Sequence, residues 1–102
     1  MSKVYIFLAQ GFEEIEAGTP ADILRRAGVD VDFVSIDDSD YVKGARGITF
    51  KADVKFSDID KDGADILVLP GGMPGTTNLK SFKPLMELVK DYNERGKRIA
   101  SI

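Results

Sequence analysis

The sequence predicts a doubly wound α/β fold, in which helices cover both faces of a parallel sheet. Two apolar runs, residues 4–9 and 65–69, are rich in Val, Ile, Leu and Phe, as is typical of strands that are buried on both faces. Helical periodicity follows these runs, over residues 13–27 and 81–95. Strands that alternate with helices across short loops form parallel sheets with right-handed crossovers.

The first helix is predicted over residues 13–27 and contains one helix breaker. Apolar residues recur there at helical spacing, and a basic pair before a glycine suits a C-terminus: Ile15, Ile23, Leu24, Ala27, Arg25, Arg26 and Gly28. Pro20 has no backbone N–H, so the helix either starts afresh at Thr19 or is kinked there. We therefore expect residues 13–18 to be irregular.

The remaining elements follow in order. Residues 29–36 alternate as in a strand, and residues 37–51 contain two short apolar segments around Gly44 and Gly47, which predicts a hairpin. The helix at 81–95 has Pro84 near its start and Gly96 as its stop. An apolar strand at 98–102 ends the sequence, so the sheet is expected to be incomplete at its C-terminal end.

Composition excludes several classes of function. The 102 residues suit one domain, and the net charge of -3 without a basic cluster argues against a nucleic-acid surface. Without Cys or His these residues hold no disulfide, no thiolate metal site and no complete catalytic triad. The apolar run at 4–9 is too short to span a bilayer, so we expect a cytoplasmic protein.

The candidate chemistry lies where the predicted strands end, because loops and helix N-termini converge at that edge of a parallel sheet. Glu13, Glu14 and Glu16 share one helical turn, so their mutual repulsion should oppose ionisation of the most buried carboxylate. Glu13 and Glu16 are expected on neighbouring positions, with Glu14 projecting elsewhere. The alternative is that these acids only complement the helix dipole.

Two further features belong to the same edge. The pair Gly71 and Gly72 leaves backbone N–H groups open to an anion or an oxyanion, although such a pair is more often only a turn. Arg46, between two glycines, is either an anion clamp or a solvated surface arginine.

Four segments together resemble the ThiJ/PfpI family. They are residues 7–16 (FLAQGFEEIE), 20–28 (PADILRRAG), 69–72 (LPGG) and 98–102 (RIASI). The resemblance implies a flavodoxin-like three-layer sandwich, of which residues 1–102 are the N-terminal part of a single domain. In that family a glutamate lies beside a reactive cysteine on a strand-to-helix elbow, which identifies Glu16 here. The oxyanion donor is then Gly72, with Gly71 beside it, and Arg46 corresponds to an arginine at the pocket mouth.

The family motif that 98–102 matches runs directly into the nucleophilic cysteine, so we expect a cysteine immediately after Ile102. Three alternatives would explain why the sequence ends before that cysteine: cleavage of the backbone at the elbow, truncation, or a remainder that is a separate chain. Cleavage is the preferred explanation. The resemblance implies a cysteine-dependent hydrolase or lyase of glyoxalase or deglycase type, acting on small reactive carbonyls or their adducts. It implies no metal and no organic cofactor. A redox-responsive sensor or chaperone of oxidative stress, and a PfpI-type intracellular peptidase, are the alternatives. The implied partners are the rest of the protein beyond Ile102 and a second copy in a homodimer, although peptidase-type relatives form larger rings.

Overall fold

The central layer of the molecule is a five-stranded parallel sheet. This computed structural model describes residues 2–101. Its strands are Lys3–Leu8 (β1), Asp30–Ser35 (β2), Tyr41–Lys43 (β3), Thr49–Lys51 (β4), Val54–Lys55 (β5), Ile66–Leu69 (β6) and Arg98–Ser101 (β7). The sheet order is β5-β2-β1-β6-β7, and β3 and β4 form a separate antiparallel hairpin. The predicted parallel α/β architecture is confirmed.

Helices and the hairpin cover the two faces of this sheet. The helices are Glu14–Arg26 (α1), Gly75–Ser81 (α2) and Lys83–Glu94 (α3), and a 3₁₀ turn covers Phe56–Asp58. Along β1, Tyr5 and Phe7 belong to the core cluster beneath α2 and α3, whereas Val4, Ile6 and Leu8 belong to the cluster beneath α1 and the hairpin. Both faces of β1 are therefore buried, which explains its continuous apolar sequence.

Helix α1 is continuous from Glu14 through Pro20 to Arg26, so the predicted restart at Thr19 and the irregular segment at 13–18 are wrong. Pro20 cannot donate a hydrogen bond to the carbonyl of Glu16, and its ring crowds that carbonyl. The burial of Ala17 and Ala21 against the sheet stabilises the helix on both sides of Pro20.

The end of α1 is as predicted. Gly28 donates its N–H to the Arg25 carbonyl at 3.1 Å, and Val29 donates to the Leu24 carbonyl at 3.0 Å. These two bonds satisfy the last carbonyls of the helix and turn the chain towards β2.

Several short elements were not predicted. Helix α2 spans seven residues and buries Gly75 and one apolar side chain, Leu79, so it has no apolar periodicity to detect. Strand β5 has two residues and is defined only by its pairing with β2. The predicted hairpin at 37–51 is confirmed as β3 and β4, and the predicted strand at 98–102 is β7, except for residue 102, which lies outside the described residues. Within residues 2–101 no helix has the length and apolarity that crossing a membrane requires.

Candidate active site

Three glutamates occupy the start of α1, at the edge of the sheet where the parallel strands end. Glu14 is buried, with 4% of its surface exposed, whereas Glu13 and Glu16 are half-buried. As predicted, Glu14 projects away from Glu16, and the two carboxylates bind different parts of the backbone.

The Glu14 carboxylate binds the tip of the hairpin, residues 44–48, between β3 and β4. It accepts the N–H of Arg46 at 2.9 Å and the N–H of Ile48 at 3.1 Å. Burial acts to raise the pKa of Glu14, but the bonds from Ile48, from its own N–H and from Arg46, together with the Arg46 charge, lower the pKa below its ordinary value. The expectation that ionisation of the most buried carboxylate is opposed is therefore wrong, because the backbone donors and the Arg46 charge outweigh the cost of burial.

The Glu16 carboxylate reaches the glycine pair after β6. Its Oε1 accepts the N–H of Gly71 at 2.8 Å, so that donor is occupied rather than open. Leu69, two residues earlier, pairs with Ser101 in the sheet. The Glu13 N–H in turn donates to the Gly71 carbonyl at 2.9 Å. These two hydrogen bonds join the start of α1 to the strand end that lies beside the end of β7.

Gly72 adopts a backbone that only glycine accommodates readily. Its φ is +94°, and a Cβ at this position would lie 2.6 Å from the backbone nitrogen of Glu13. The N–H of Gly72 is half-buried and finds no acceptor among residues 2–101. Of the predicted glycine pair, Gly72 is therefore the open donor at this edge.

Arg46 and the acids line one open cavity of about 440 Å³. Its walls are Glu13, Glu14, Ile15, Glu16, Arg46 and Ile48. The Arg46 side chain is exposed and makes no ion pair or hydrogen bond with the part of the chain that is described, whereas its backbone N–H is held by Glu14. The structure thus brings Arg46 and Glu16 to the same cavity.

A second depression, of about 470 Å³, lies between α1 and the hairpin and has no free cationic group. Arg25 pairs with Asp53 at 2.8 Å, and Arg26 pairs with Asp22 at 2.9 Å. Between Ser2 and Ser101 no cluster of three His, Cys, Asp or Glu residues is arranged to hold a metal ion. The Glu16 cavity is therefore the stronger candidate.

The family assignment follows from the sequence match. The sequence model of the DJ-1/PfpI family matches residues 2–102. The chain belongs to the DJ-1/PfpI family. This confirms the ThiJ/PfpI resemblance carried by the glutamate loop, the glycine pair and β7.

Individual DJ-1/PfpI relatives agree in sequence and fold. Protein DJ-1 homolog B of Arabidopsis thaliana is 41% identical over 98% of the chain, which covers 23% of that protein. A protein named deglycase from Thermococcus kodakarensis is 35% identical over 98% of the chain, which covers 59% of it. The structure of oxidized Toxoplasma gondii DJ-1 has a TM-score of 0.94 and 37% identity, over 99% of this chain and 55% of that one. The chain thus spans about half, or less, of the length of these relatives.

Glu14 and Gly44 form a contact that sequence reasoning missed. Gly44 lies against the Glu14 carboxylate, and a Cβ there would overlap it. The two residues are 30 positions apart, so only the docking of the hairpin on α1 brings them together. The signal in the sequence is the pair Gly44 and Gly47 around Arg46, since glycine marks a close approach of backbone to another group.

Proposed function

We propose that the protein containing this chain is a cysteine-dependent enzyme acting on small reactive carbonyls or their adducts, as a hydrolase or lyase of glyoxalase or deglycase type. Residues 1–102 would be the N-terminal part of a single α/β domain, and the nucleophile would follow β7. The archaeal relative that bears the name deglycase supports this activity. A cytoplasmic location is part of the same proposal.

One observation carries the proposal. The hydrogen bond between Glu16 and Gly71 places a carboxylate next to the open N–H of Gly72, at the edge where β7 ends. A carboxyl group can move a proton and a backbone N–H can stabilise an oxyanion. A nucleophile that follows β7 would lie at the same edge, because Ser101 pairs with Leu69.

The chemistry needs these groups in a fixed order. A cysteine thiolate attacks the carbonyl carbon and forms a carbon–sulfur bond, while the π electrons of the carbonyl move to its oxygen. Gly72 stabilises that oxyanion through its N–H, and Glu16 passes the proton that it has taken from the cysteine thiol to the oxygen. Arg46, at the cavity wall, orients the substrate.

The test is the rate of methylglyoxal consumption by the full-length protein. Because Glu16→Gln keeps the shape but cannot transfer a proton, we expect kcat to fall by about 100-fold or more. The matched control is Glu87→Gln, on the exposed surface of α3, which should leave kcat unchanged. Equal turnover by the Glu16→Gln variant and the wild type would contradict the assignment of Glu16.

A redox-responsive sensor or chaperone is the second candidate, favoured by the oxidized state named for the Toxoplasma gondii relative. In this role the cysteine is oxidised by peroxide to a sulfinate, and Glu16 binds the oxidised sulfur. Intact mass spectrometry after mild peroxide treatment distinguishes the two. Ready gain of two oxygen atoms by the protein, without methylglyoxal consumption, would favour the sensor. Cleavage of peptides, with neither oxidation nor methylglyoxal consumption, would favour a PfpI-type peptidase.

A further inference from the structure

We infer that Glu14 is a positioning residue, which sets the affinity of the cavity for anions by fixing the backbone that carries Arg46. The inference rests on the proposed function, since it concerns the cavity of Glu16, and it adds a selectivity for negatively charged groups. Glu14 itself faces the hairpin backbone and would not contact the reacting atoms.

The hairpin tip is docked on the start of α1 by its own backbone donors. Ala45 donates its N–H to the Phe12 carbonyl at 2.8 Å, and Arg46 and Ile48 donate to Glu14. Glu14 therefore supplies the acceptor for two of these three docking bonds. Without its carboxylate, two N–H groups beside Arg46 would lose their partner, and the tip would lose its fixed position.

The close packing around Glu14 leaves the hairpin tip few other positions. Gly44 lies against the carboxylate, and its N–H donates to the Ile48 carbonyl at 2.9 Å, which closes the turn that contains Arg46. The turn and the carboxylate thus fit as one unit. A methyl group added at Gly44 would separate them without changing any charge.

The charges of the cavity make the position of Arg46 decisive. Glu13, Glu14 and Glu16 line the cavity with a single guanidinium, that of Arg46. An anion can bind there only where the guanidinium is nearer than the acids, since like charges repel it. The Arg46 side chain has no partner within residues 2–101, so it is available to a ligand.

The test is the binding of inorganic sulfate to the full-length protein, measured by isothermal titration. The variant is Glu14→Leu, because a glutamine would keep one side-chain oxygen that can accept both hairpin N–H groups. A through-space effect of Glu14 predicts that Glu14→Leu tightens sulfate binding, because it removes a negative charge. Positioning predicts the opposite, a weakening of about threefold to tenfold. Glu13→Gln is the matched control, since it removes a charge from the same cavity but no bond to the hairpin, and it should tighten binding.

The dependence on Arg46 separates positioning from general damage. In an Arg46→Ala background, Glu14→Leu should weaken sulfate binding no further, and Gly44→Ala in the wild-type background should weaken it like Glu14→Leu. Circular dichroism confirms that each variant is folded. Absence of sulfate binding by the wild type, tighter binding by Glu14→Leu, or an equal loss with and without Arg46 would each overturn the inference.

Turnover on the same proteins keeps the two proposals distinguishable. If the wild type does not consume methylglyoxal, the proposed function is contradicted. The role of Glu14 would still be supported by a loss of sulfate affinity in the Glu14 variant that depends on Arg46. Conversely, if the protein consumes methylglyoxal but its sulfate binding does not depend on Glu14, the proposed function is supported and the positioning role of Glu14 is contradicted.

Discussion

Glu14 and Glu16 leave the same turn of α1 and bind backbone N–H groups from different parts of the chain. Glu14 joins α1 to the hairpin, and Glu16 joins it to the glycines after β6. The spacing of two residues separates the side chains by about 200° around the helix axis. The carboxylate buried beneath the hairpin has the lowered pKa, while the half-buried one faces the edge of the sheet.

The lowered pKa of Glu14 predicts a pH dependence of stability. Since the pKa in the folded state lies below its ordinary value of 4.5, the stabilisation by Glu14 is complete above that pH and is lost as the pH falls through the folded pKa. Urea unfolding of the full-length protein between pH 7 and pH 3 should therefore show a steeper acid loss for the wild type than for Glu14→Gln. The control is Glu87→Gln, whose curve should match the wild type. Parallel curves for Glu14→Gln and the wild type would contradict the prediction.

Pro20 shows how packing overrides a local signal in α1. The sequence correctly places a helix between β1 and β2, because its apolar spacing and terminal Gly28 are local properties. It cannot decide whether the helix passes through Pro20, since that depends on the burial of Ala17 and Ala21 against strands elsewhere.

Replacement of Pro20 by alanine should stabilise α1. The change restores an N–H that can donate to the Glu16 carbonyl, and alanine has the highest helix propensity. We expect the free energy of unfolding to rise by about 1–2 kcal/mol, less than the full proline penalty because the unfolded chain gains freedom. Urea unfolding of the full-length protein measures this difference. Pro84→Ala is the control, as Pro84 lies in the first turn of α3, where an N–H has no helical acceptor. A Pro20→Ala variant no more stable than the wild type would contradict the prediction.

The molecule as a whole places its site residues by long-range contacts that a sequence alone expresses only in part. The apolar runs of β1 and β6 predict the sheet, and its C-terminal edge predicts that Glu16 and the glycine pair converge. The short elements α2 and β5, and the pairing of Glu14 with Gly44, depend on contacts between distant segments. The periodicity of residues within one segment does not predict contacts of this kind.

Helix α1 also presents apolar side chains to solvent. Ile15 and Ile23 are 72% and 60% exposed, and their spacing of eight residues places them on similar sides of the helix. We propose that α1 lies in a homodimer interface. The full-length protein should sediment as a dimer, and Ile23→Glu should shift it to monomer, because the interface would bury an unpaired charge. Tyr41→Glu, an equally exposed position on the hairpin, is the control. A monomeric wild type, or a dimer that Ile23→Glu leaves intact, would rule out this interface.

The central place of β1 also affects how the chain is made. Val4 pairs with Val31 on one side and with Ile66 on the other, so its second neighbour is synthesised 35 residues after its first. At ribosomal rates of about 5–20 residues per second, the second edge of β1 stays open for about 2–7 s after its first neighbour has been made. During that time an apolar strand edge is available to chaperones and to other nascent chains. Among the described strands, β1 therefore has the longest interval between its own synthesis and that of its last neighbour.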